Sequence, residues 1–222
     1  MPNLNFFRWK ISVLPDGIKN WYLKLIQPIV NFFVNLELNP NFFTTIGFIL
    51  TIGSAVLFAI GQLRIAGAIV LLAGTFDIID GKVARLTQRV TKFGALYDST
   101  LDRYSEVIMF FGLAFYFVKE EWFITSVAVS IALGGSVMVS YVRARAEALG
   151  FQCKVGIMQR PERIVYIGFG AVIHKYTLIF SILLIAVFAN ITAIQRIYHI
   201  WVAENGKKKQ KLSQAEMDMV GD

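Results

Sequence analysis

Six long apolar stretches separated by short charged connections dominate this sequence, and they exclude most folds open to a chain of 222 residues. They run roughly over 42–61, 64–81, 94–118, 122–142, 161–174 and 176–201. Most reach the ~20 residues a helix needs to cross a bilayer, while the fifth is short unless its basic N-terminal end reaches out to the headgroups. The chain is 56% hydrophobic, with 19 Phe and a mean hydropathy of +0.58, too apolar to clothe a soluble domain of this size. The fold expected is an all-α integral membrane protein with six transmembrane helices and an N-terminal interfacial amphipathic helix.

Three segments follow from the pattern. Residues 1–38 form an N-terminal juxtamembrane amphipathic segment, 39–204 the six-helix transmembrane domain, and 205–222 a polar, disordered tail. Within the first, Ile18, Tyr22, Leu25, Ile29, Phe32 and Leu36 recur three or four apart and make one apolar stripe. Lys19, Lys24, Gln27 and Asn31 lie off it, and Pro28 should kink or split the helix. Too polar to span, this helix should lie flat on the membrane surface. Arg8 and Lys10 precede a mixed stretch rather than a continuous apolar core, so the start does not read as a secretory signal.

Charge orients the spans. The 82–93 connection holds Lys82, Arg85, Arg89 and Lys92, and the 143–163 connection holds Arg143, Arg145, Lys154, Arg160 and Arg163. The opposite connections are poor in net positive charge, whereas the tail carries Lys207, Lys208, Lys209 and Lys211. The positive-inside rule puts both termini and both basic connections in the cytoplasm, consistent with an even number of spans in the inner membrane. The net charge of +7 on so apolar a chain fits an anionic leaflet or an anionic substrate, not nucleic acid. Cys153 is the single cysteine, so no intramolecular disulfide can form.

Four aspartates sit where charge is costly. Asp77 and Asp80 end the second apolar stretch, and Asp98 and Asp102 open the third. Each charge within a span costs at least ~2.5–3.5 kcal/mol, so such residues are functional by default. Spacings of three and four put each pair on one helical face. The short connection makes the two helices antiparallel neighbours, able to bring all four carboxylates together. They would repel unless cations lay between them, and all-oxygen ligands select Mg²⁺ or Mn²⁺ over zinc. The plainer alternative is structural ion pairing with Lys82, Arg85, Arg89 and Arg103.

The full string is Asp77-x2-Asp80-Gly81-x2-Ala84-Arg85-x8-Gly94-x3-Asp98-x3-Asp102. At every fixed position it resembles the signature of the CDP-alcohol phosphatidyltransferase family, and the resemblance covers nearly the whole chain. It implies two Mg²⁺ or Mn²⁺ ions gripping a pyrophosphate. Asp77 and Asp98 would bridge both ions, Asp80 would hold one, and Asp102 would complete the second site and act as general base. The resemblance also implies that Gly81 lets the nucleotide approach the helix backbone and that Arg85 binds diphosphate oxygens. Thr91 and the Asn39-Pro40-Asn41-Phe42 turn would line the cytidine diphosphate pocket. A homodimer embedded among membrane lipids is implied as well.

The acceptor is read from later residues. Arg143, Arg145, Arg160, Arg163 and Arg196, with Asp98-Ser99-Thr100-Leu101-Asp102-Arg103, resemble the branch that couples a CDP-lipid to inositol 1-phosphate. Arg143 stands where that branch has Lys, and Gln159 where it has Glu. A doubly charged phosphomonoester is well served by several arginines, whereas free inositol or serine would not need them. The expected reaction joins CDP-diacylglycerol and inositol 1-phosphate, releasing CMP. The alternatives are the same reaction with glycerol 3-phosphate or serine, or a cation transporter whose aspartates line an ion path.

Overall fold

The computed structural model describes residues 16–36 and 38–220; Arg8 and Lys10, which carried the reading of the N-terminus, lie outside them. Among the described residues there are seven helices and no strand: α1 (Asp16–Asn35), α2 (Pro40–Ala59), α3 (Leu63–Leu86), α4 (Lys92–Lys119), α5 (Phe123–Ala148), α6 (Arg160–Ile173) and α7 (Lys175–Val220). Local chemistry sets the starts that matter for function. Asn39 caps α2 by accepting the Asn41 amide hydrogen at 3.0 Å, with Pro40 in the first helical position. Thr91 caps α4 by accepting from the Gly94 amide at 2.9 Å.

α2, α5 and residues 175–206 of α7 are long and apolar enough to cross a membrane. α3 and α4 would measure about 36 and 42 Å at 1.5 Å per residue, but they carry the aspartates that lower their hydropathy. α6, with 14 residues, would reach about 21 Å, short of the ~30 Å hydrocarbon core. Large side chains point outward along the bundle, among them Ile49, Phe111, Ile124 and Phe180. An outer surface this apolar suits lipid, not water.

Inside, Phe110, Leu113, Phe117, Ile167, Ile182 and Ile185 belong to the main core and are fully buried. Small residues bring helices together. A Cβ at Gly67 of α3 would stand 2.7 Å from the Gly168 carbonyl of α6, so these two helices meet backbone to backbone. α2 packs against α3 and α4, α5 against α4 and α7, and α6 against α3 and α7.

The bundle has two chemically distinct ends. At one lie the starts of α2, α4 and α6 and the ends of α3 and α5, which include the basic connections. At the other, Lys175 sits 4.3 Å from the Trp122 ring centre and 3.4 Å from Glu120, beside Tyr116. Trp and Tyr favour such membrane boundaries.

Three expectations change. α1 runs unbroken through Pro28 and, besides the expected stripe, has a second apolar face, where Ile26 and Val30 pack with Phe43, Ile79 and Val83. Leu25, Ile29, Phe32 and Leu36 stay exposed, so α1 has two apolar faces rather than one. Its off-stripe Gln27 accepts from Lys82 at 2.8 Å, and Tyr22 pairs with Thr75 at 2.6 Å, fixing α1 to α3. Second, the tail expected to be disordered continues α7 to Val220, because residues 207–220 are mostly good helix formers without proline. Third, α5 extends to Ala148, so Arg143 and Arg145 sit on its last turns instead of in a connection.

Candidate active site

All four aspartates lie at one end of the α3–α4 pair. Asp80 is in the electrostatic field of Asp77 and Asp98, and Asp102 in that of the same two residues. Gly47 of α2 makes room for this group, since a Cβ there would stand 3.0 Å from Asp77 Oδ1. Asp80 is buried and accepts a hydrogen bond from Thr44 Oγ1 of α2 at 2.7 Å, which fixes Oδ2. Thr44 had no place in the sequence pattern; a hydroxyl inside an apolar run, five residues after the helix-capping Asn39, was its only signal.

What lies between the carboxylates comes from a helix far along the chain. Arg160 Nη1 donates to Asp77 Oδ2 at 2.8 Å, and Arg160 Nη2 lies 2.8 Å from Asp102 Oδ1. Arg160 was assigned to an acceptor phosphate, yet here it bridges two of the aspartates. Among the described residues no three acidic, histidine or cysteine side chains converge as a set of metal ligands. The reason is visible: Arg160 holds Asp77 and Asp102, and Thr44 holds one oxygen of Asp80. Of the structural ion pairs weighed earlier, the one between Arg103 and Asp102 forms, though loosely. Lys82 turns to Gln27, and Arg103 stands 3.9 Å from Asp102 Oδ2 while donating to the Ser99 carbonyl.

The residue set fits a hard divalent cation. Every donor is a carboxylate oxygen, and the arrangement already demands positive charge between Asp77 and Asp102, where the guanidinium stands in for it.

Beside the aspartates the caps of α2 and α4 meet. A Cβ at Gly94 would lie 3.0 Å from Thr91 Oγ1 and 3.2 Å from Asn41 Oδ1, so glycine lets these groups face one another. Asn39, Pro40, Asn41 and Thr91 line a cleft of about 480 Å³, together with Arg89 and Phe93, which the sequence reading left out. Two helix N-termini beside one cleft favour phosphate. Phe42 is exposed and packs edge-on against Phe43 instead of lining this cleft. The space over Gly81 is taken by Arg85, whose guanidinium nitrogens would stand 3.4 and 3.5 Å from a Cβ there.

The remaining arginines divide by environment. Arg143 and Arg145 are exposed, and Arg143 pairs with Glu147 at 2.9 Å. Arg163 is fully buried, with Nε and Nη2 on the two oxygens of Glu106 at 2.5 and 3.0 Å, and with Nη1 on the Met158 carbonyl at 3.2 Å. Arg196 is buried and donates to the carbonyls of Val155 and Val139 at 2.8 and 2.6 Å, fastening the 149–159 connection between α5 and α7. The Met158 amide adds a bond to Thr192 at 3.0 Å. Arg143 and Arg163 both lie in the field of Arg196, so these three form one positive group.

The family model for CDP-alcohol phosphatidyltransferase matches residues 37–204. The chain belongs to the CDP-alcohol phosphatidyltransferase family. The signature therefore sits on the α3–α4 pair of a phosphatidyltransferase, and this family member is an integral membrane protein. Among its relatives is the archaetidylinositol phosphate synthase of Methanothermobacter thermautotrophicus, 34% identical over 197 residues, covering 85% of this chain and 98% of the relative. The phosphatidylinositol phosphate synthase of Mycobacterium tuberculosis is 29% identical over 204 residues, covering 87% of this chain and 93% of the relative. The crystal structure of M. tuberculosis phosphatidylinositol phosphate synthase with CDP-DAG bound superposes with a TM-score of 0.73 at 31% identity, covering 80% of this phosphatidyltransferase and 94% of that chain. The same enzyme in complex with manganese and citrate gives a TM-score of 0.70 at 31% identity, over 78% and 88% of the two chains.

Proposed function

We propose that this phosphatidyltransferase moves the phosphatidyl group of CDP-diacylglycerol onto inositol 1-phosphate, releasing CMP and forming phosphatidylinositol phosphate. The observation that carries this reading is the reach of α6. It brings Arg160 onto Asp77 and Asp102, and it brings Arg163 into the positive group with Arg143 and Arg196. These contacts support a site for a phosphorylated alcohol beside the signature carboxylates. The names of the relatives, archaetidylinositol and phosphatidylinositol phosphate synthase, support the same acceptor class.

Asp77, Asp80, Asp98 and Asp102 would hold two Mg²⁺ or Mn²⁺ ions, and the manganese complex of the M. tuberculosis enzyme supports a divalent requirement. When bound, such ions neutralise charge on the diphosphate and on the departing CMP. The chain itself does the rest. The α2 and α4 N-termini, with Asn39, Pro40, Asn41, Thr91 and Arg89, receive the cytidine diphosphate in their cleft, and Arg85 over Gly81 meets its diphosphate oxygens. Asp102 takes the proton of the attacking hydroxyl at Oδ2, the oxygen that Arg160 leaves open. The new bond joins the acceptor oxygen to the lipid-linked phosphorus as the bond from that phosphorus to CMP breaks.

Arg143, Arg145 and Arg160 present charge to the acceptor phosphate, while Arg163 and Arg196 shape the site from behind. Six spans, α2 to α7, with α1 lying in the interface on its exposed Leu25, Ile29, Phe32 and Leu36, would place this end at the cytoplasmic face of the inner membrane. The family resemblance supports a homodimer. The test is CMP release from CDP-diacylglycerol by purified protein, which should require both an acceptor and a divalent ion. Acceptor-dependent CMP release that persists in chelator would overturn the two-ion part of the reading.

A further inference from the structure

Asp102 and Glu106 are four residues apart on α4, and Arg160 and Arg163 three apart on α6. Each carboxylate meets one arginine of α6, giving two rungs between the helices: Asp102 with Arg160, and Glu106 with Arg163. The two helices pack their backbones elsewhere, α4 on α2 and α5, and α6 on α3 and α7. Long charged side chains therefore bridge the gap between them. The rungs also differ. The first has partly open side chains and joins groups that meet reactants; the second is sealed, with Arg163 at 0% and Glu106 at 2% exposure, and is held by a two-pronged grip.

We infer that Glu106, which lies outside the signature, is a positioning residue that works through Arg163 to hold α6 in register for the acceptor half of the reaction. A buried carboxylate beside an acceptor site for an anion is costly in itself, since it repels the very phosphate the arginines attract. Its geometry shows the compensating role. Both Glu106 oxygens are used on one guanidinium, fixing its plane, and the Met158 carbonyl takes a third hydrogen from the same group. That locks the N-terminal turn of α6, with Arg160 one turn away, against the helix that carries Asp102. Arg163 is thereby held inside the positive group with Arg143 and Arg196. The CDP-lipid cleft, built from α2 and the start of α4, does not depend on this rung.

This inference rests on the acceptor reading above, and the experiment separates the two. Glu106→Asp keeps the charge and pulls it back by one methylene; Glu106→Gln keeps the shape and removes the charge. For parent and variants in detergent, steady-state constants for inositol 1-phosphate and CDP-diacylglycerol are measured, together with Mn²⁺ affinity by electron paramagnetic resonance. Both variants should lose about tenfold or more in kcat/KM for the acceptor. The KM for CDP-diacylglycerol should stay within about twofold of the parent, and Mn²⁺ should bind no more weakly than in the parent, a split that mere loss of fold would not give. A Glu106→Gln protein that takes the acceptor as well as the parent, or better, overturns the inference, for the carboxylate then only dilutes local positive charge. Equal loss for both substrates, or failure of both variants to fold, overturns it too, leaving Glu106 a role in the fold alone. A parent that ignores inositol 1-phosphate counts against the acceptor reading instead, and the same split is then expected with the alcohol it does use.

Discussion

Arg160 reaches from the first turn of α6 to place Nη2 2.8 Å from Asp102 Oδ1, within the signature and 58 positions from it in sequence. The pair is mostly enclosed, so its two charges interact more strongly than a surface pair would. Arg160 also neutralises Asp77, which gives it two opposing effects. It competes with cations for carboxylate oxygens, and it offers charge to an incoming phosphate. Arg160→Ala should therefore raise the KM for inositol 1-phosphate by about tenfold to a hundredfold, the equivalent of a charge-assisted bond worth roughly 1.5–3 kcal/mol. Mn²⁺ should bind the same variant more tightly than the parent in the absence of substrate. Weaker Mn²⁺ binding would show that Arg160 organises the carboxylates instead of competing for them.

Thr44 acts on the opposite side of the group. Its hydroxyl donates to Asp80 Oδ2 at 2.7 Å in a buried setting, which fixes that oxygen. Thr44→Val preserves the shape and removes the bond. Outer partners of metal ligands typically contribute 10–100-fold to affinity, so a rise of about tenfold in the Mn²⁺ dissociation constant is expected. Calorimetric titration of the detergent-solubilised protein would measure it, and an unchanged constant would remove Thr44 from the site.

Asp102 is assigned the proton transfer. Asp102→Asn should abolish CMP release while leaving CDP-diacylglycerol binding largely intact, because Asp77, Asp80 and Asp98 remain. Equilibrium binding of a radiolabelled CDP-lipid distinguishes the possibilities. Collapse of that binding would make Asp102 primarily a ligand.

The placement of charge predicts topology. Reporters fused after Asp222 and within 152–158 should read cytoplasmic, and one near Glu121 external. The structure groups the ends of α3 and α5 with the starts of α4 and α6, and it sets the Lys175–Trp122–Glu120 cluster at the other end. A cytoplasmic signal at Glu121 would require a different arrangement of spans.

The helices were legible in the sequence because apolar length and short polar breaks leave few choices. Asn39 and Thr91 read as pocket residues, and their capping of α2 and α4 shows in the structure alone. Asp77, Asp80, Asp98 and Asp102 stood out because charge inside an apolar run is costly. Contacts between distant segments were another matter. Nothing in the spacing of Arg160 or Arg163 says that one guanidinium will bridge Asp77 and Asp102 while the other is sealed against Glu106. Both read as cytoplasmic positive charge and, by the family resemblance, as holders of the acceptor phosphate. The buried face of α1 was missed for a related reason: periodicity picked out the stripe that stays exposed, and alone it does not choose which face meets protein and which meets lipid. Tyr22, Gln27 and Lys82 make that choice through bonds to α3 and α1 that no local pattern contains.

The acceptor decides the account. Purified protein should be given CDP-diacylglycerol, Mg²⁺ and, in separate reactions at equal concentration, inositol 1-phosphate, glycerol 3-phosphate, serine or free inositol, with CMP release as the readout. Arginines gathered beside Asp102 predict that inositol 1-phosphate is turned over fastest and that free inositol, having no phosphate to engage them, is a poor acceptor. Faster turnover of glycerol 3-phosphate or serine than of inositol 1-phosphate would contradict the inositol-phosphate assignment and leave only the phosphatidyltransferase one.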